Sequence, residues 1–457
     1  MSEPIRVAIV CDYLLDYLGG AQTALLEQAR ALAAAGHEVI LIAPATPFPE
    51  PTTAPFPEPT TAPFPEPTTA PFPEPVEGQS TSRPESTGFH LIKVPFRVTL
   101  PGLRLPVITN SAELRSRLRA WFREHRIEMV HLHSEFGLAA AAVDVAGELG
   151  LPVVHSVHTF FWQSDFPAQR ALAAAVDRFH GRLTGWPRDR PTAVLADRPG
   201  DAALRTMTWR MARRARLVIS PSAHQAERLR AAGITRLRVI PNTLTGQSEP
   251  AEPPPARPVK IIWAGRCGPE KRLLPFVRGA VRALDRVGAG RLAITIAGDG
   301  EQLPAARRIA RDHPAITFLG RRPHAEIVRL LHDHHLLALT SYGFDNQPMS
   351  IVEAILAGRG VLYCDPRLTE GTTNDDRPAA GILTDGPDEA SWTERLIELA
   401  EDPGRAAAAC QAAVTTRAIF RPETFLTKIT AAYRSVAVNS AGLGSSGADS
   451  RLHQPPA

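Results

Sequence analysis

The chain has 457 residues, of which 44% are hydrophobic and 21% are charged, and its formal net charge at pH 7 is +4. The composition is typical of a globular protein. Because a chain of this length is too long to form a single hydrophobic core, we expect two domains. The weak positive charge argues against a nucleic-acid partner and leaves only mild attraction to anionic ligands or an anionic membrane face.

Cysteine spacing and the first apolar segment predict a cytoplasmic protein. The four cysteines are scattered without metal-ligand spacing, at Cys11, Cys267, Cys364 and Cys410. They suggest no disulfide framework, which fits a reducing compartment. Arg6 and Asp12 interrupt the first apolar run, so we expect no signal peptide, and no uninterrupted apolar segment reaches the roughly 18 residues of a transmembrane helix.

The first half alternates predicted strands and helices. Residues 5–11 are typical of a buried parallel strand, a helix follows over about 21–35, and the next strand is expected over 38–43. Further strands are expected near 89–94, 127–132, 152–157 and 216–220. This repeated βαβ pattern predicts a Rossmann-like domain over 1–246.

A Pro-rich repeat interrupts this domain. Pro-Phe-Pro-Glu-Pro-Thr-Thr-Ala occurs three times from Pro47 to Ala70, and a fourth copy begins after it. Proline lacks the N–H that strand pairing needs and favours extended chain, so we expect a disordered insertion over 47–88. A ligand for an aromatic groove is one interpretation, and a tolerated repeat expansion in a surface loop is the one we favour.

The second half repeats the alternation after a Pro-rich linker at 247–258. Strands are expected near 259–264, 292–297, 316–319, 336–340 and 360–364. We assign a second Rossmann-like domain to 259–415, a helix returning to the first domain to 416–437, and a disordered tail to 438–457. The predicted fold class is α/β, with two doubly wound parallel sheets facing a cleft.

Two loops that follow predicted strands have features of phosphate sites. Gly19 and Gly20 open a helix, whose N–H groups attract phosphate, although an ordinary tight turn explains the pair equally well. Arg266 and Lys271 follow the strand at 259–264, at the sheet edge where open α/β folds bind ligands. Arginine binds phosphate with its planar fork and lysine acts as a point charge. We favour a phosphate site over two unrelated surface cations.

A pair of carboxylates lies further along the chain. Pro348 should begin a helix, which places Glu353 in its second turn among apolar neighbours and Asp345 in the preceding loop. An exposed helix residue is the simpler interpretation of Glu353, but a carboxylate on a buried helix needs a partner. We therefore expect Glu353 to accept hydrogen bonds from a ribose.

Histidines occur in two places that invite a functional interpretation. His158 follows the strand at 152–157, where it can bond a substrate or serve as a structural loop residue, whereas His155 should lie in the core. The histidines within 332–335 can share a helix face, but no carboxylate or cysteine spacing completes a metal site. With no Asp-x-Asp motif in the chain, we predict no metal.

Taken together, these motifs resemble the retaining glycosyltransferases of family 4, which have the GT-B fold. The matching segments are, in order, Gly19-Gly20, Gly36-His37-Glu38-Val39, Ser222 to Leu229, Pro241-Asn242, Gly265 to Lys271, Gly298-Asp299-Gly300 and Asp345-x7-Glu353. The chain departs from the family pattern at Asp345, which is usually Glu, at Thr243, which is usually Gly, and at His334-His335, which are usually Ala-Asp.

The resemblance implies a role for each matching residue. Arg266 and Lys271 would bind the donor diphosphate, Glu353 the ribose, and His158 the donor sugar at its reacting carbon. Gly20 would let phosphate approach the backbone. The implied catalytic residues are His158, Arg266, Lys271 and Asp345, and the implied donor-binding residues are Gly19, Gly20, Arg266, Lys271, Gly320, Asp345, Asn346, Gln347, Pro348, Met349, Ser350 and Glu353.

By the same resemblance, the chain would transfer a hexose, mannose or glucose, from a nucleotide-diphosphate sugar with retention and without a cofactor. Residues 100–126 combine arginines with apolar side chains and suggest peripheral contact with an anionic membrane and a lipid acceptor. Alternatively they form an ordinary helix with Leu114, Leu118 and Trp121 inward, and the acceptor is a glycan. A catalytically inactive sugar-binding scaffold is the competing interpretation of the whole chain.

Overall fold

The computed structural model describes residues 4–15, 19–44, 88–100, 105–246, 250, 252–288, 290–311, 313–372 and 379–442. The predicted Pro-rich insertion lies outside these residues except for Gly88, as do part of the predicted linker and the chain after 442.

The N-terminal half alternates strands and helices. Its described strands are β1 (Arg6–Val10), β2 (Glu38–Pro44), β3 (His90–Val94), β4 (Thr99–Leu100), β5 (Leu105–Pro106), β6 (Met129–Leu132), β7 (Val153–Ser156), β8 (Leu217–Ser220) and β9 (Leu237–Val239). Its described helices are α1 (Gly20–Ala34), α2 (Ala112–Glu124), α3 (Gly137–Glu148), α4 (Gln169–Thr184), α5 (Pro199–Ala212) and α6 (Ala223–Ala231).

The C-terminal half repeats the pattern. Its described strands are β10 (Val259–Ala264), β11 (Leu292–Ala297), β12 (Ile316–Gly320), β13 (Leu336–Leu339), β14 (Gly360–Tyr363) and β15 (Gly381–Leu383). Its described helices are α7 (Leu273–Val287), α8 (Leu303–Ala310), α9 (His324–His332), α10 (Met349–Leu356), α11 (Glu389–Glu401), α12 (Gly404–Thr416) and α13 (Pro422–Gly442).

Each half contains one parallel sheet with a doubly wound strand order. The N-terminal sheet runs β3-β2-β1-β6-β7-β8-β9 and the C-terminal sheet runs β12-β11-β10-β13-β14-β15. Both orders reverse direction beside the first strand, so each sheet has a topological switch point at which such folds bind ligands. The predicted fold class, two Rossmann-like sheets, is confirmed.

The predicted strands are all present, with ends that differ by at most two residues. Their apolar side chains are buried on both faces, as parallel sheets require. The structure also contains strands that were not predicted, namely the edge strands β9 and β15 and the short antiparallel pair β4–β5. These strands have two or three residues each, too few to form a recognisable apolar pattern.

Helix α2 has the ordinary packing of a globular helix. Leu114, Leu118 and Phe122 are buried in the N-terminal core, and Trp121 packs against the same cluster. Two of its arginines pair with protein carboxylates, Arg117 with Glu113 and Arg119 with Glu148. The apolar face of α2 is therefore occupied, and no described helix is long and apolar enough to span a membrane.

The last helix, α13, follows the C-terminal half in the chain but packs on the N-terminal half. Side chains of α13 join the core formed by β1, β2 and α1, with Phe425, Ile429 and Tyr433 fully or almost fully buried. The helix begins at Pro422 and continues to Gly442, so residues 438–442, which the sequence analysis assigned to a disordered tail, are helical. This helix fixes the two halves together through apolar contact.

Replacing one buried residue of α13 tests this contact. Ile429→Ala should lower the free energy of unfolding by about 2–5 kcal/mol, because it leaves a cavity in the N-terminal core. Lys428→Ala, on the exposed side of the same helix, should change it by less than about 0.5 kcal/mol. Urea unfolding followed by tryptophan fluorescence measures both, and equal effects of the two variants would contradict this packing.

Candidate functional site

The C-terminal switch point lies between β10 and β13, and two glycines shape it. A Cβ on Gly298 would lie 1.9 Å from the carbonyl oxygen of Gly265, so only glycine allows the two loops to approach this closely. The backbone N–H of Cys267 donates to the carbonyl of Asp299 at 2.8 Å. The loop that carries Arg266 and Lys271 is thereby held against the Gly298–Gly300 turn.

Lys271 is held in place at this switch point. Its Nζ donates to both carboxylate oxygens of Asp345, at 2.9 and 3.0 Å. The hydroxyl of Thr340, just after β13, donates to the carbonyl of Lys271 and accepts from Trp263 Nε1 at 2.9 Å. Lys271 and Asp345 are only a quarter and an eighth exposed, so the ion pair is partly shielded from water. The structure thus brings together two of the predicted catalytic residues.

Arg266 also has an acidic partner. Its guanidinium pairs with Glu270 one turn further along the loop, and the arginine side chain is 62% exposed. An exposed pair of this kind contributes little to stability and exchanges partners readily. Both predicted phosphate ligands are therefore cations that carry a carboxylate partner in this structure.

Glu353 is buried on α10, as predicted, and its partner is a histidine. His324, the first residue of α9, places Nε2 at 2.9 Å from the Glu353 carboxylate. The hydrogen bond to Glu353 raises the pKa of His324. The sequence analysis did not single out His324, because the two residues meet only through the packing of α9 against α10.

The loop between β13 and α10 connects the two halves. The Asn346 side chain accepts from the Ser222 hydroxyl and donates to the carbonyl of Val157 at 3.2 Å. Gln347 Oε1 accepts from the backbone N–H of Asn242 at 2.7 Å. These two side chains, which were predicted to bind the donor, form hydrogen bonds to the N-terminal half in this structure.

The remaining predicted donor residues lie around this loop. Pro348 precedes α10, Met349 and Ser350 form its first turn, and Gly320 ends β12 with a positive φ of 68°. Across the cleft, Gly19 and Gly20 begin α1. No atom lies within 4 Å of a Cβ placed on Gly20, so there is open space beside its backbone.

His158 lies just beyond the end of β7 and is half-buried. Its Nε2 lies 2.8 Å from Nδ1 of His133, and desolvation lowers its pKa to about 4. Nearby, the side chain of Gln163 donates to the carbonyl of Gly343 at 2.8 Å, which connects this part of the N-terminal half to the Asp345 loop. His155 is buried in the core, as predicted.

His334 and His335 form structural hydrogen bonds. His334 bonds to Leu330 and Thr295, and His335 Nδ1 accepts from the backbone N–H of Lys260 at 3.0 Å. Among the residues that the structure describes, no group of three or more His, Cys, Asp or Glu side chains is arranged to hold a metal ion.

Comparison with known proteins identifies the family. The sequence model of Glycosyltransferase Family 4 matches residues 18–244, and that of Glycosyl transferases group 1 matches residues 258–402. The chain belongs to the family 4 glycosyltransferases. No curated protein matches it significantly in sequence.

Solved structures agree with the GT-B fold of this glycosyltransferase. HepE from Anabaena in complex with UDP is 14% identical, with 94% of this chain and 100% of that chain covered and a TM-score of 0.59. Sucrose-phosphate synthase from Thermosynechococcus elongatus is 14% identical, with 95% and 100% covered and a TM-score of 0.59. The apo form of the lipopolysaccharide outer core galactosyltransferase WaaB is 14% identical, with 94% and 99% covered and a TM-score of 0.56. At this identity, the likeness shows the fold alone.

The N-terminal switch point of the glycosyltransferase, between β1 and β6, holds two buried acids that the sequence analysis missed. Asp12 accepts from the backbone N–H of Leu138 at 2.7 Å and from the Ser134 hydroxyl at 2.6 Å, and so caps the start of α3. Glu135 accepts hydrogen bonds from neutral groups, among them the Thr208 hydroxyl at 3.0 Å. Glu135 lies shortly after the predicted strand at 127–132, as His158 lies after the strand at 152–157, and this position could have identified it as a candidate site residue.

Burial raises the pKa of Glu135 to about 7. The other donors to its carboxylate are the Thr159 hydroxyl and Trp162 Nε1, both at 3.3 Å, and the Tyr13 hydroxyl at 3.5 Å. No cation is among the hydrogen-bonding partners of this carboxylate in the described part of the chain. The folded protein therefore holds a proton on Glu135 at a pH where a solvated glutamate is ionised.

This shift predicts a pH-dependent stability. The unfolded chain releases the Glu135 proton near pH 4.5 and the folded chain near pH 7, so its stabilising contribution is full below pH 4.5 and is lost as the pH rises through 7. Relative to Glu135→Gln, the unmodified protein should lose about 2–3 kcal/mol of unfolding free energy between pH 5 and 8. Urea unfolding at both pH values measures this difference.

Glu301→Gln, at an exposed glutamate, is the matched control and should follow the pH dependence of the unmodified protein. If the stability of Glu135→Gln also runs parallel to that of the unmodified protein from pH 5 to 8, Glu135 is ionised at neutral pH and this description of the cluster is incorrect.

Proposed function

We propose that this glycosyltransferase moves a hexose, mannose or glucose, from a nucleotide-diphosphate sugar to an acceptor hydroxyl with retention of configuration. The observation that carries the proposal is the Lys271 ammonium at the C-terminal switch point, fixed through Thr340 and Asp345. A lysine held at the carboxyl edge of a parallel sheet suits a ligand diphosphate. HepE, which shares the fold, is also known as a complex with UDP-glucose.

In this proposal the donor diphosphate binds both cations. Arg266 exchanges Glu270 for phosphate oxygens, and Lys271 lies between phosphate and Asp345. When the bond between the sugar C1 and the diphosphate oxygen breaks, negative charge develops on the leaving group, and both cations stabilise it. No metal is needed for this step, which agrees with the lack of an Asp-x-Asp motif in the sequence.

In this proposal the acceptor attacks C1 of the sugar on the same face that the diphosphate leaves, so the anomeric configuration is retained. The acceptor oxygen forms the new bond to C1, and its proton passes to the departing diphosphate oxygen. His158 and the backbone around Asn346 hold the sugar during this step, and Glu353, oriented by His324, accepts hydrogen bonds from the ribose. Gly20 leaves room for the phosphates beside α1, and the backbone near Gly320 lies beside the base.

The acceptor in this proposal binds to the N-terminal half, next to His158. Leu114, Leu118 and Phe122 of α2 lie in the core, so this helix offers a membrane only its charged face. We therefore favour a glycan over a membrane lipid as acceptor. A cytoplasmic location, expected from the scattered cysteines, is part of the same proposal.

Lys271→Ala tests the role of the ammonium. The variant should lower kcat/KM by at least about a hundredfold, because the leaving diphosphate loses an oriented cation. Lys260→Ala, at the opposite end of β10, should keep the activity of the unmodified protein. The assay follows release of nucleoside diphosphate from UDP- and GDP-sugars, with and without glycan acceptors, and thermal unfolding verifies the fold.

Near-normal turnover of Lys271→Ala would refute the assigned role. The alternative function, a catalytically inactive sugar-binding scaffold, is favoured by the shorter acid at Asp345. It predicts that the unmodified protein binds a nucleotide sugar and releases no nucleoside diphosphate with any donor or acceptor.

A further inference from the structure

His133 lies directly behind His158 in the N-terminal half. It follows β6 as His158 follows β7, and these two strands are neighbours in the sheet. The side chain of His133 is 2% exposed. Its Nδ1 lies 2.8 Å from Nε2 of His158, and the two rings are nearly parallel, with an interplanar angle of 20°. The inner nitrogen of His158 is therefore engaged by a buried residue.

Two arrangements of protons fit this contact. If His158 Nε2–H donates, His133 keeps its own proton on Nε2, which is buried and has no hydrogen-bond partner among the residues that the structure describes. If His133 Nδ1–H donates, the buried Nε2 of His133 is a bare ring nitrogen. Unpaired buried N–H groups are rarer than undersatisfied acceptors, so the second arrangement is favoured. It leaves the proton of His158 on Nδ1.

We propose that His133 is a positioning residue that holds His158 as the Nδ1–H tautomer, so that His158 presents an N–H donor on its side away from the core. Such a donor can bond a lone pair on a sugar hydroxyl or on a diphosphate oxygen. The importance of this bond for transfer rests on the proposed function, whereas the tautomer itself does not.

The surroundings of His133 make the arrangement rigid. The ring of His131, two residues earlier, lies 4.3 Å from the His133 ring between centroids. His131 is in turn fixed by Tyr433 of α13 at 2.7 Å and by Ser156 at 2.8 Å. Burial also lowers the pKa of both His133 and His158, so the pair is neutral at physiological pH.

Nuclear magnetic resonance of the full chain, labelled with ¹⁵N in its histidine rings, tests the proposal. Loss of a signal in His158→Gln assigns that residue. We expect His158 to show the Nδ1–H pattern. His133→Leu removes the donor and should convert His158 to the Nε2–H form, whereas His133→Asn, whose amide reaches the position of Nδ1, should preserve it. His180→Gln, at another buried histidine, should leave the tautomer unchanged.

Kinetics provide the second readout. His133→Leu should lower kcat about tenfold, the effect of one lost oriented hydrogen bond, and His133→Asn should recover most of it. An Nε2–H tautomer in the unmodified protein, or an unchanged tautomer in His133→Leu, overturns the proposal. Absence of any transfer by the unmodified protein refutes the proposed function instead, and the tautomer measurement remains valid in that case.

Discussion

The hydrogen bonds of the Asn346 side chain are the constraint on which the site depends. They join the loop after β13 to Ser222 and to the end of β7 in the other half. Because parallel strands place their loops at one edge, a bond between two such loops sets the sheets edge to edge. This contact places the loop that carries Asp345, the partner of Lys271, against the N-terminal half, and α13 adds a second contact between the two halves.

The same loop also determines the electrostatics of the cleft. Asp345, next to Asn346, holds the Lys271 ammonium, and Glu270 holds Arg266. Lys271 is therefore held in place and partly shielded from water, whereas Arg266 is exposed and can exchange its partner. A ligand diphosphate meets one preorganised positive group in Lys271, and such groups are the usual source of transition-state stabilisation in transfer reactions. On the facing side, desolvation raises the pKa of Glu135 to about 7 and lowers that of His158 to about 4, so His158 is neutral at pH 7 and Glu135 is partly protonated.

Much of this site was predictable, because position after a strand is a local property of the sequence. Arg266, Lys271 and His158 each follow an apolar run, and the structure places each of them at the carboxyl edge of a sheet. The partners were not predictable, since His324 meets Glu353 and His133 meets His158 only through tertiary packing. The alternation of arginine and leucine in α2 likewise could not distinguish a lipid surface from a protein core, because both select the same amphipathic pattern.

The central claim is that Lys271, held by Asp345 at the C-terminal switch point, binds the diphosphate of a donor. Calorimetric titration of the unmodified protein and of Lys271→Ala with UDP and with GDP tests it most directly. We predict that the unmodified protein binds one of the two nucleotides and that Lys271→Ala binds it at least about tenfold more weakly, the loss of one charge-assisted hydrogen bond. Equal affinity of the two proteins, or no binding by either, would contradict the account.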